Sequence, residues 1–188
     1  QIQTENASVL DPLIRLHGNS VIHEKLTVTL SVKQFSVLCV DLDYFKSYND
    51  IYGFKRGDDL LTDVSKILHT NIAKNGGFLG HIGGDDFVAI FHHFRIDEIC
   101  QTIIQQFEAA KKFYYPNDHF TQKYVISENR RGNIEKIPLI SISITVVTNQ
   151  TKSYINVEEI VSDATKVKKL CKSTPQSWYE VSSSCLTN

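Results

Sequence analysis

Phe78-Leu79-Gly80-His81-Ile82-Gly83-Gly84-Asp85-Asp86-Phe87-Val88-Ala89-Ile90-Phe91 is the stretch on which the architecture turns. Two apolar segments flank a pair of glycines and a pair of carboxylates. Glycine reaches positive φ without a Cβ clash, so Gly83-Gly84 between apolar runs reads as a tight β-hairpin turn. Asp85 and Asp86 then sit at a rigid hairpin tip, where carboxylates can hold a hard cation. Taken alone, the motif is read more simply as a solvated turn, because Gly and Asp are common turn residues.

A second acidic cluster shifts the balance. Phe35-Ser36-Val37-Leu38-Cys39-Val40 is an apolar run with the look of a buried central strand, and it leads directly into Asp41-Leu42-Asp43. Strand alternation puts Asp41 and Asp43 on one side and Leu42 on the other. Like charges at the end of a buried strand are costly unless a cation or hydrogen bonds compensate them. Together, the strand end and the hairpin tip suit a divalent metal and a nucleoside triphosphate, the requirement of two-metal nucleotidyl transfer.

The remaining elements follow outward. Gln1 to Ser8 reads as a linker and residues 9–188 as a single domain. Val21 to Leu30 has helical spacing, and a short helix starts near Tyr44. Asp58 to Asn71 reads as a helix capped by Asp58, with Leu60, Leu61, Val64, Ile67 and Leu68 on its core face. Asp97 to Phe113 is a further helix, with Ile99, Ile103, Ile104 and Phe107 inward. Arg131-Gly132-Asn133 between β-like runs predicts an exposed hairpin within 114–136. Leu139 to Val147 is a central strand, Val157 to Lys172 the last long helix, and Trp178 to Val181 a short closing strand.

Composition narrows the function classes. With 188 residues the chain can bury a sizeable core, and 41% hydrophobic and 22% charged residues fit a globular domain. The formal net charge of −1 argues against a nucleic-acid partner. No apolar run is long enough to span a bilayer, and no signal peptide opens the chain, so a cytoplasmic setting is expected, with membrane attachment of a full-length protein left open. A chain that begins at Gln1 with Met 0 is read as a processed or excised piece of a larger multidomain protein. Cys39, Cys100, Cys171 and Cys185 form no Cys-x-x-Cys pair and are read as reduced thiols, Cys39 packing as a small hydrophobe. His92-His93, read as strand residues on opposite faces, is assigned a structural or surface role.

Three segments carry a resemblance: Asp11-Pro12-Leu13 with Leu16 and Asn19, then DLDYFKSYNDIYGFKRGDDLL from Asp41 to Leu61, then GGDDF from Gly83 to Phe87. In order and spacing the chain resembles a GGDEF domain, the catalytic domain of diguanylate cyclases, with weaker echoes in Leu139 to Val147 and the helix ending in Lys172. The resemblance implies an α+β fold, a central, mainly antiparallel sheet flanked by helices and similar to the palm of nucleotide cyclases and polymerases. It also implies condensation of two GTP molecules to cyclic di-GMP with release of two pyrophosphates. Mg²⁺, with Mn²⁺ as an alternative, would be held by the side chains of Asp41 and Asp85 and the backbone carbonyl of Leu42. Asp85, or its neighbour Asp86, would help deprotonate the attacking 3′-hydroxyl, and Lys46 would stabilise phosphate charge. Amides around Tyr44 and Phe45 would cradle phosphate oxygens, Asn49 and Asp58 would read guanine, and Lys172 would be a second phosphate lysine. The partners implied are GTP, a second copy in a transient homodimer, and a neighbouring sensory, receiver or phosphodiesterase domain.

The hydrogen-bonding roles make chemical sense on their own. Guanine presents two donors that suit a carboxylate, and an amide can donate to O6 or N7. Lysine supplies a point charge to a triphosphate.

Several positions depart from the family pattern. Asp86 stands where glutamate is usual, His81 where arginine is usual, and Phe54 where a histidine is usual. Ile14-Arg15 replaces Thr-Gly. Ser173, Thr174, Pro175 and Gln176 replace the Gly-Arg-Asn pattern after Lys172. Lys74-Asn75-Gly76-Gly77 lacks the Arg-x-x-Asp of the product-inhibition site, so no tight cyclic di-GMP binding is expected there. No metal carboxylate is lost. These departures bear on turnover more than on nucleotide binding. They keep open a rival reading, a catalytically degenerate domain that binds GTP and regulates an attached domain such as a cyclic di-GMP phosphodiesterase.

Overall fold

The central strand β1 (Ser36–Asp43) is hydrogen-bonded on both edges, as its unbroken apolar run requires. The structure, a computed structural model, describes residues 16–171 and 175–185. In chain order, α1 (Asn19–Thr29) precedes β1. After it come α2 (Phe45–Tyr52), α3 (Phe54–Lys74), β2 (Phe78–Gly83), β3 (Asp86–Phe91) and α4 (Asp97–Ala110). A 3₁₀ turn (Lys111–Tyr114) leads to α5 (Asn117–Gln122), β4 (Tyr124–Glu128), β5 (Ile134–Pro138) and β6 (Ser141–Thr148). The chain continues through α6 (Val157–Cys171), β7 (Trp178–Val181) and α7 (Ser182–Cys185). The main sheet has the order β2-β3-β1-β6-β7, and β4 and β5 form a separate two-stranded sheet. All main-sheet pairings are antiparallel except β6 with β7. This is an α+β fold, and β7 is parallel because α6 crosses over before it.

Alternation along β1 divides the core. Leu38, Val40 and Leu42 face α3 and α4, where Leu60, Leu68, Ile103 and Phe107 are fully buried. Val37 and Cys39 face α1 and α6, against Ile22, Leu26, Ile160 and Ala164. Each large aliphatic or aromatic side chain buried in such a layer contributes about 1.5–3 kcal/mol. Asn156 caps α6: its Oδ1 accepts from the Glu159 amide at 2.9 Å, and Glu159 Oε2 accepts from the Ile155 amide at 3.1 Å.

Most expected elements are present, with shifted ends. The helix read from Asp58 begins at Phe54, so Asp58 is an internal residue and not the cap. Gly53, at φ 92°, ends α2 and opens α3 as a one-residue elbow, and its carbonyl accepts from the Gly57 amide at 3.2 Å. The helix expected through Phe113 stops at Ala110 and tightens into the 3₁₀ turn. Ile67 and Ile104 pack at the core margin instead of inside it. His92-His93 lies beyond the end of β3. The two rings still have separate partners, Thr29 Oγ1 at 3.4 Å from His92 and the Asn75 carbonyl at 3.2 Å from His93. The exposed hairpin within 114–136 corresponds to β4–β5, with Ile126 and Ile134 outward. The linker, Asp11-Pro12-Leu13, Ile14-Arg15 and Lys172 to Thr174 lie outside the described residues.

Candidate active site

The β2–β3 hairpin brings its carboxylates to the end of β1. Asp41 pairs in register with Asp86 across the antiparallel β1–β3 ladder. Gly83 and Gly84 both have positive φ, and the β2–β3 register shifts between His81 and Gly83. His81 is buried, and its Nε2–H donates to the Gly84 carbonyl at 2.8 Å. Its ring lies 5.0 Å from that of Phe87. The histidine in the place of an expected arginine therefore fastens the turn from within.

Strand alternation holds for the two β1 aspartates, and different neighbours satisfy each. Asp43 Oδ2 accepts hydrogen bonds from Ser141 and Ser143 Oγ, each at 2.6 Å. Asp41 Oδ2 forms an ion pair with Lys168 of α6, while Asp41 Oδ1 is buried without a hydrogen-bond partner. The Leu42 side chain is buried on the opposite face, so only its backbone can serve this site.

The two hairpin aspartates differ in setting. Asp86 is exposed and Asp85 half-buried. Burial, then the adjacent Asp86 charge, pushes the Asp85 carboxyl up to about 6. Burial and the facing Asp41 charge raise Asp86, against the lowering effect of Lys168 and His81. Burial is also opposed at Lys168, where the bond to Asp41 and the charges of Asp41, Asp43 and Asp86 raise the ammonium pKa overall.

Tyr44 connects β1 to α2 in a left-handed conformation at φ 64°, an uncommon backbone state for a non-glycine residue. Phe45 anchors the helix in the core, and Lys46 is exposed. The first amides of α2 lack intrahelical acceptors and are suited to anions. Asn49 lies against Gly57, where any Cβ would meet Asn49 Oδ1 at 1.6 Å. That oxygen is also buried without a partner. The α2–α3 elbow thus brings Asn49 to the residue preceding Asp58, which is exposed on α3.

Among the described residues, three buried side-chain polar atoms lack partners: Asp41 Oδ1, Asn49 Oδ1 and Trp178 Nε1. The first two belong to residues expected to hold metal and base. No group of three or more His, Cys, Asp or Glu side chains is gathered as a metal site among the described residues. Two carboxylates and a backbone carbonyl still suit Mg²⁺, which keeps waters and substrate phosphates in its shell. The unsatisfied Asp41 oxygen fits such a cation.

Lys168 is the residue that sequence reading missed. The expected phosphate lysine, Lys172, lies outside the described residues. Lys168 is four residues earlier, a spacing that shares a helix face, and this was the available signal. Beside it, a cleft of about 320 Å³ runs between α1, α6 and the sheet, with Asp41, Asp86 and Lys168 in its lining and Ile22, Leu26 and Cys39 among its less polar residues. Burial, then the charges of Asp41 and Asp86, push the Cys39 thiol up to about 12.

Comparison with known proteins places this arrangement in a class of fold. The GGDEF domain of DgcB from Caulobacter crescentus, solved in complex with c-di-GMP, superposes with a TM-score of 0.68 at 16% identity, over 94% of this chain and 96% of that one. The model of the family "Diguanylate cyclase, GGDEF domain" matches residues 8–127, and the chain belongs to that family. The probable diguanylate cyclase DgcI of Escherichia coli is 33% identical over 98 residues, 52% of this chain and 22% of that protein. The diguanylate cyclase DgcP of Escherichia coli is 32% identical over 100 residues, 48% of this chain and 29% of that protein. The matched stretches thus span less than a third of these curated relatives.

Proposed function

We propose that residues 9–188 form a Mg²⁺-dependent diguanylate cyclase domain that joins two GTP molecules into cyclic di-GMP. The observation that carries this reading is the pair of unsatisfied buried oxygens, on Asp41 near the end of β1 and on Asn49 of α2 beside the α2–α3 elbow. A buried acceptor without a partner costs stability, and a ligand that satisfies it recovers that cost. Guanine supplies the donor for Asn49, and a cation satisfies Asp41.

The side chains of Asp41 and Asp85 and the carbonyl of Leu42 would hold Mg²⁺, or Mn²⁺ in its place. Bound there, the cation supplies charge neutralisation for the triphosphate and acidity for the 3′-hydroxyl. Asp85, beside the bound cation, would take the 3′-hydroxyl proton. Asp86, on the ladder opposite Asp41, is the second candidate for that role. Lys46 and the amides following Tyr44 hold phosphate oxygens, and Asn49 and Asp58 orient the base. Each domain holds one GTP while the product needs two, so two copies face each other about a two-fold axis. A neighbouring sensory, receiver or phosphodiesterase domain in a longer protein would set how often they meet. Among the described residues, no helix is long and apolar enough to cross a membrane.

A second reading has its own support: Asp86 is one methylene shorter than the usual glutamate, and among the described residues no group of three or more His, Cys, Asp or Glu side chains is gathered. Under that reading the domain binds GTP without turnover and regulates an attached domain. Incubation with GTP and Mg²⁺ at high protein concentration, with GTP binding measured on the same sample, separates the two. Cyclic di-GMP that disappears in Asp85→Ala supports the cyclase, and binding without product supports the regulatory module. Asp86→Glu is expected to raise the rate at least about tenfold if carboxylate reach is limiting.

A further inference from the structure

Lys168 occupies the position from which the metal carboxylates are most directly neutralised. It comes from the last turn of α6, pairs with Asp41 Oδ2, and is exposed over 46% of its side chain. Its charge also acts on Asp85 and Asp86. Lys168 is the ion-pair partner of Asp41, and His81 adds a smaller lowering effect on Asp86. Asp41 and Asp86 face each other across the ladder, with Asp85 next in the chain. Without Lys168, the like charges of Asp41 and Asp86 in register across the ladder would favour a divalent cation whether or not nucleotide was present.

We propose that Lys168 is a resident counter-cation for Asp41. It suppresses metal binding in the absence of nucleotide and so makes metal and triphosphate enter together. The proposal rests on the cyclase reading of the site and adds an order to its assembly. A lysine ammonium is a compact point charge on a flexible stem, able to leave one carboxylate oxygen without rearranging the helix. A cation arriving alone has to compete with that charge at Asp41. A triphosphate supplies alternative anionic oxygens for the ammonium and thereby frees the carboxylate. Binding free energies are reciprocal, so Lys168 couples the affinities of metal and nucleotide.

The test is Mn²⁺ binding to the 188-residue chain, followed by the loss of the free-ion paramagnetic resonance signal, with and without a GTP analogue whose α–β bridge cannot be cleaved. Lys168→Gln is expected to bind Mn²⁺ alone about tenfold more tightly than the wild type, the effect of removing one positive charge a few ångströms from a divalent ion near the surface. The enhancement of Mn²⁺ binding by the analogue shrinks in the same variant. Lys168→Arg, which keeps the charge, stays within about twofold of wild type, and adding Asp41→Asn to Lys168→Gln abolishes the gain. Unchanged or weaker nucleotide-free binding in Lys168→Gln overturns the counter-cation role, while Mn²⁺ retained by the wild type with analogue leaves the cyclase reading standing. If the wild type with analogue holds no more Mn²⁺ than the analogue alone, both readings fall.

Discussion

Single side chains at this site are constrained by what touches them. Gly57 leaves no room for a Cβ beside Asn49. Gly57→Ala should therefore displace Asn49 and weaken GTP binding at least about tenfold. The fold should survive, because alanine favours a helix interior by about 1 kcal/mol over glycine. Calorimetric titration with GTP and a thermal melt of the variant check both halves, and unchanged affinity would remove Asn49 from the base site. Asp85 carries a pH signature. Its folded carboxyl titrates near 6, above its unfolded value, so the folded state binds the extra proton between about pH 4 and 6. Stability from this group is present below that window and is lost as pH rises through it. Asp85→Asn should accordingly be more stable than wild type at pH 7, by about 1 kcal/mol after allowance for solvent screening, with the gap closing near pH 4. Urea midpoints at the two pH values measure it. The acidic residues themselves were legible in the sequence, since glycines and carboxylates declare a turn locally. The division of labour between Asp41 and Asp43 was not, because the serines that satisfy Asp43 lie on β6, about a hundred residues away.

At the scale of elements, two short junctions set the geometry. The Gly53 elbow joins α2 to α3 without a loop, and its positive φ is what lets Asn49 meet Gly57. Helical periodicity located α3 but not its start, because the first turn, Phe54 to Gly57, carries little core-facing hydrophobicity. Phe54 is in fact 75% exposed. The second junction is the cap of α6. Asn156→Ala should cost about 1 kcal/mol by removing the bond to the Glu159 amide. Denaturant midpoints test the cost. Amide exchange should show faster opening of the first turn of α6, with that of α3 unchanged; equal protection throughout α6 would show that packing alone holds its start. The β4–β5 hairpin was readable from Arg131-Gly132-Asn133 between β-like runs, as turn chemistry is a local signal.

For the whole molecule, the cyclase reading makes activity a property of pairs. Specific activity should rise with protein concentration in the range where dimers are scarce, and level off once they predominate. Initial rates across a dilution series check this, and a specific activity independent of concentration throughout would point to a site complete in one copy or to a permanent dimer. The sequence by itself determined most of the strands and helices in their order, though not α5 or α7, together with the hairpin and its carboxylates and membership of the GGDEF family, because periodicity, turn residues and motif spacing act over short distances. Tertiary structure alone decided which strand lies beside which, which charges meet and which polar atoms are left buried and unsatisfied. Lys168 and Asp41 are 127 residues apart, and only the sheet order and the seating of α6 on its face bring ammonium and carboxylate together.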